Sequence, residues 1–173
     1  MTFANTNAAI QELANVGANQ SDIIRFVQQL SVEASGTTTV LYSGDIAAGT
    51  PAWKIVESMG NDVRHVGKTM AAEVLNSAEF KAKVAQAFDY ATLQDFIDAP
   101  DSDLAKLWMN KGGSGPWATA SEMFVDATNG PVKILTELPA EDSVFKVNEL
   151  PKLLAKLQSG SDITEISGIP RAK

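Results

Sequence analysis

Apolar positions recur at helical spacing through most of the first two thirds of the chain. Towards the end they give way to β-branched, strand-like runs. Ala8–Val16 is the first helical run, stopped at Gly17. Ser21 is placed to cap a second, Asp22–Glu33, whose Ile24, Val27 and Leu30 form one stripe. Thr37–Ser43 interrupts the series as a half-buried strand that ends in a turn. Thr50-Pro51 predicts a short helix through Met59, closed by Gly60-Asn61. Helices are expected again at Lys68–Asn76 and at Ser77–Tyr90, where Phe80, Val84, Ala87 and Phe88 share one side. Thr92 is placed to cap a helix to Asp98, and Ser102 to cap Asp103–Asn110, which carries Leu104, Leu107 and Trp108. After the glycine-rich turn Lys111–Pro116, Trp117 opens a further helix. Pro131–Leu138 and Ser143–Asn148 read as strands, Pro151–Gln158 as a short helix and Asp162–Ser167 as a last strand.

Helices early and strands late predict an α+β domain, or an open α/β one, with a helical N-terminal part packed beside a small C-terminal sheet. The chain reads as one domain over 1–173, with a helical prefix at 1–36 and a core at 37–173.

Composition narrows the classes of function. A net charge of −7 argues against nucleic acid as a partner, since phosphate contacts need clustered Lys and Arg. It fits a basic protein partner. No apolar run approaches ~18 residues, so no membrane span is expected. No classical signal peptide is visible. With no Cys the chain suits a reducing cytoplasm, or passage through a secretion machine without bridges to break. The single histidine, His65, together with the lack of Cys, excludes ordinary multi-histidine or thiolate zinc sites. The glycine-rich turn lacks the Gly-Lys-Ser/Thr ending of a nucleotide P-loop, and no Gly-x-Ser-x-Gly elbow is present.

Candidate chemistry gathers at two places. Trp117 and Ser121 lie four residues apart, on one helical face. They stand near a helix N-terminus, where backbone donors and the dipole favour anions. Tyr42 and Ser43 stand at a strand end. Trp117 and Tyr42 could stack on an aromatic ring, and Ser43 with the amides of Gly112–Gly115 could hold phosphate oxygens. Arg64 offers a fork suited to a pyrophosphate. Along a strand from Ser143, alternation places Ser143, Phe145, Val147 and Glu149 on one face. Glu149 and, after it, Glu122 are therefore the candidate carboxylates, although each also sits where a helix dipole favours an acid.

In this order and spacing, the two segments resemble the ADP-ribosyl cyclase family of NAD glycohydrolases and cyclases. Tyr42-Ser43 stands for the family's Trp-Ser pair, and Trp117, Thr119, Ser121 and Phe124 match its Trp-x-Thr-x-Ser-x-x-Phe helix start. Asn129-Gly130, Lys133–Leu135 and Ser143-Val144 follow at nearly the family spacing. The resemblance covers about residues 38 to 155. The chain departs from the family in having no Cys and in carrying Gly44 where an Arg follows the first pair. Phe145 or Lys146 falls where the catalytic Glu stands. Thr69 lies near the second Thr of the family's Thr-Leu-Glu-Asp-Thr stretch.

The resemblance implies a two-lobed fold with a cleft between helices and sheet, and cleavage of NAD(P)+ to nicotinamide and ADP-ribose. No cofactor is implied beyond NAD+ or NADP+ as substrate. Ser121 would stand beside the anomeric carbon and Glu149 would act as the stabilising anion. Tyr42, Ser43, Gly44, Arg64, His65, Thr69 and Trp117 would line the substrate cleft. A small acidic version of this kind resembles NAD-depleting toxin domains that bacteria export into rivals, acting in the target cytoplasm and neutralised in the producer by a cognate immunity protein. Two alternatives remain at this point: a non-catalytic nucleotide-binding or inhibitory protein that keeps the cleft, and a domain whose Trp-Ser pairs serve only packing.

Overall fold

A computed structural model of the chain describes residues 3–34, 36, 38–42, 45–47, 50–51, 63–100, 102–105, 108, 115–128, 130–135, 150–158 and 163–167. It is mostly helical, with a small parallel sheet. The strands are β1 (Thr38–Tyr42), β2 (Asp45–Ala47), β3 (Thr50–Pro51), β4 (Val63–Arg64), β5 (Gly130–Leu135) and β6 (Ile163–Ser167). Four of them form the sheet in the order β4-β1-β5-β6, each pair parallel. In β1, Thr39, Val40 and Leu41 are all buried, on both faces, as expected for an inner strand of a parallel sheet. Pro131 has no N–H for a ladder, and the register between β5 and β6 shifts at Gly130/Pro131. The β1 segment therefore sits at the centre of a sheet that the linear pattern assigned to the C-terminal third.

The helices are α1 (Thr6–Glu12), α2 (Gln20–Val27), α3 (Met70–Leu75), α4 (Ala78–Ala87), α5 (Leu93–Ile97), α6 (Ser102–Ala105), α7 (Pro116–Asp126) and α8 (Leu150–Gln158). Short side-chain caps set most of their starts. Asn5, Asn19, Thr69, Ser77 and Thr92 each accept a backbone N–H at the head of a helix. Asn19, not Ser21, caps α2, because Asn19 has the extended backbone (φ −148°) and Ser21 already lies within the first turn. Thr69 is likewise extended, so a 3-10 turn at Val66–Lys68 precedes α3 in place of one continuous helix. Asp89 takes the left-handed conformation (φ 62°) and Tyr90 N–H bonds Ala85 O at 2.9 Å, which ends α4 short of Tyr90.

Thr50-Pro51, where a helix through Met59 was expected to start, forms β3, paired antiparallel with β2; residues 52–59 lie outside the described residues. The helical prefix expected at 1–36 packs into the main core. Ala9, Leu13, Ile23, Phe26, Val27 and Leu30 belong to the same buried cluster as Val74, Leu75, Phe80, Val84 and Phe96. The strand expected at Ser143–Asn148 lies outside the described residues.

A second cluster, Leu41, Phe124, Val125, Val132 and Leu153, packs α7 and α8 on the sheet. Helix α7 serves both cores: Ala120 and Trp117 pack into the helical one, Phe124 and Val125 into the sheet one. No helix among the described residues is long and apolar enough to cross a membrane.

Candidate functional site at the carboxyl edge of the sheet

Strand order defines where the sheet can take a ligand. From β1 the chain goes to β4 on one side and only later to β5 on the other. In an open parallel sheet, such a reversal leaves a crevice at the carboxyl ends of the two strands between which it occurs. Here those ends are Tyr42 and its register partner Leu135. Ser43 and Gly44, which follow Tyr42 in sequence, lie outside the described residues, as does the side chain of Tyr42.

Helix α7 ends just before β5 begins, so it runs antiparallel to the strands and brings its N-terminus to the same edge. Gly115 caps it with extended backbone and Pro116 occupies the first turn. Gly115 lies so close to the Trp108 carbonyl that a Cβ would fall 1.0 Å from that oxygen. Thr119 Oγ1 donates to Gly115 O at 2.9 Å and tightens the first turn.

Arg64 bridges β1 and the end of α7. Its Nη1 donates to Thr39 Oγ1 at 3.1 Å and to Thr128 Oγ1 at 3.0 Å. Ser121 lies about one turn towards the α7 N-terminus from Phe124, and Trp117 about one turn further.

Ser121 is 4% exposed, and its hydroxyl has no hydrogen-bond partner among the described residues. The other hydroxyls of this region behave differently: Thr119 bonds Gly115 O, and Thr128 donates to Phe124 O at 2.8 Å. A buried hydroxyl without a partner carries a desolvation cost that a bound ligand or water would relieve.

Trp117 is partly buried against the helical core. It lines a hollow of about 370 Å³ with Leu75, Asn76, Lys81, Leu93, Gln94 and Ile97. Ser121 does not line that hollow. The structure therefore brings Trp117 and Ser121 onto one helix without placing them round one described cavity.

The remaining expected site residues turn inward. His65, 6% exposed, accepts the Gly67 N–H on Nδ1 at 3.2 Å. Thr69, fully buried, donates to Val66 O at 2.6 Å and accepts Ala72 N–H at 3.1 Å. Arg64 adds a 3.5 Å contact from Nη2 to Val32 O and lies 4.0 Å above the Phe124 ring. Burial lowers its pKa from the ordinary value, through desolvation. Pairing Val63 and Arg64 with Thr38 and Thr39 sets the Arg64 backbone at the amino half of β1, below Tyr42.

Of the candidate acids, Glu122 is drawn to the surface, 4.0 Å from Lys152, which also pairs with Asp126 at 3.2 Å. Glu149 lies outside the described residues; the residue after it, Leu150, begins α8. Sequence reasoning missed Thr39 and Thr128 as the partners of Arg64. Thr128 did carry a signal, because it extends the Trp117–Ser121–Phe124 stripe by one more turn. Among the described residues no cluster of His, Asp and Glu could hold a metal ion.

No family model, curated protein or solved structure matches this chain.

Proposed function

We propose that the chain is an NAD(P)+ glycohydrolase with an ADP-ribosyl cyclase-like fold, working at the carboxyl edge of the sheet. The observation that carries this reading is Ser121: a buried hydroxyl with no hydrogen-bond partner among the described residues, on the helix that leads into β5 beside the topological switch point. In the reaction, the bond between the anomeric carbon and nicotinamide breaks and nicotinamide leaves with the electron pair. Water then adds to the oxocarbenium-like ribosyl centre and loses a proton, giving ADP-ribose. Ser121 would stand beside the anomeric carbon, Trp117 and Tyr42 would offer aromatic surface, and the α7 N-terminus would favour the pyrophosphate. Glu149, directly before α8, is the carboxylate proposed to stabilise the developing positive charge. The biological role proposed is an antibacterial effector that depletes NAD in the cytoplasm of a target cell and is held in check by a cognate immunity protein.

The test is incubation of the pure protein with NAD+ and, separately, NADP+, with chromatographic measurement of nicotinamide. Release is expected from the wild type and a loss of more than about 100-fold from Glu149→Gln, the scale of a lost electrostatic group. Trp117→Ala should abolish release and relieve any toxicity on expression that tracks a fall in cellular NAD+. No nicotinamide from wild-type protein would end the proposal. The second reading, a nucleotide-binding protein without turnover, draws support from the surface pairing of Glu122 and from Phe145 at the family acid position. It requires NAD+ to change tryptophan fluorescence with no product formed.

A further inference from the structure

Arg64 makes four contacts with three separate parts of the chain. These are the carbonyl of Val32 after α2, Thr39 in β1, and the Phe124 ring with Thr128 at the end of α7. Thr39 and Thr128 are almost fully buried, and Thr128 passes the chain of bonds on to Phe124 O. No carboxylate among the described residues pairs with this guanidinium. A half-buried cation held against hydroxyls, a carbonyl and a ring is a costly way to gain stability, since well-packed apolar residues often do as well. What the planar fork supplies is geometry: one nitrogen bonds two hydroxyls on different elements while the flat face covers Phe124, which a lysine point charge cannot reproduce.

We propose that Arg64 is a positioning residue that ties α7 to β1 and so fixes where Ser121 stands against the sheet; its catalytic part rests on the NAD(P)+ glycohydrolase reading. It does not grip the pyrophosphate, because its Nη1 is committed to Thr39 and Thr128 and its position is below the carboxyl edge.

The experiment compares Arg64→Lys with the Thr39→Val/Thr128→Val double variant and with all three changes together, using NAD+ as substrate and amide hydrogen exchange as a second readout. Arg64→Lys and the double variant should each lower kcat about tenfold and leave KM within about twofold, the pattern of a transition-state geometry lost without loss of ground-state binding. The triple variant should add little to either, because the three side chains act as one unit. Exchange at Thr39–Tyr42 and Ser121–Thr128 should quicken about tenfold, while Thr6–Glu12 is unchanged. A raised KM with kcat kept would make Arg64 a substrate ligand and overturn the proposal. Unchanged exchange would overturn it too, as would faster exchange with kcat and KM both intact. If wild-type protein releases no nicotinamide, the glycohydrolase reading falls by itself, and exchange alone decides whether Arg64 ties α7 to β1.

Discussion

Ser121 and Arg64 show opposite relations between a side chain and its surroundings. Ser121 is buried with no partner among the described residues, whereas Arg64 is half-buried with four contacts. Ser121→Ala removes a hydroxyl that bonds none of the described residues, so folding should keep its stability or gain up to about 1 kcal/mol of relieved desolvation. Nicotinamide release by the same variant should fall more than about 100-fold. Calorimetric melting beside the release assay checks both; a clear loss of stability would mean that the hydroxyl is a packing group. The Trp117–Ser121 pairing was legible in the sequence because helical periodicity alone puts the two on one face. The partners of Arg64 were not, since Thr39 and Thr128 lie 25 and 64 residues away. Local spacing carries no information about such contacts.

Helix α7 is the element on which both cores and the candidate site depend. Its start is set by the close approach of Gly115 to the Trp108 carbonyl, which leaves no room for a Cβ. Since the obstructing atom is backbone, it cannot swing aside as a flexible side chain would. Gly115→Ala should therefore cost about 3 kcal/mol or more and displace the head of α7 with Trp117. Denaturant midpoints and tryptophan emission would show it, and an unchanged midpoint would contradict the close approach. The Thr92 cap was readable because a side chain and the N–H it accepts are neighbours in sequence. At Thr50-Pro51 the converse holds. Pro suits a helix start equally well as a short edge strand, and only pairing with Asp45–Ala47 puts these two residues in a strand.

For the whole molecule, the helical segment over residues 3–34 is a wall of the main core. Ala9, Leu13, Ile23, Phe26 and Val27 cover Val74, Leu75 and Phe80. A protein lacking residues 1–36 should lose its cooperative unfolding transition and its near-ultraviolet circular dichroism, because that apolar face would be open to water. A sharp transition in the truncated protein would show that the rest folds without this segment. The amino-acid order by itself determined the helical runs, the Thr92 cap, the strand at Thr38–Tyr42 and the Trp-to-Ser spacing, all of them effects between near neighbours along the chain. Tertiary structure alone decided the parallel strand order, the switch point beside Tyr42, the burial of Ser121 and the inward turn of Arg64, His65 and Thr69. Those features arise when distant segments compete to remove apolar surface from water and to satisfy buried polar groups, a balance reached only once the chain has folded.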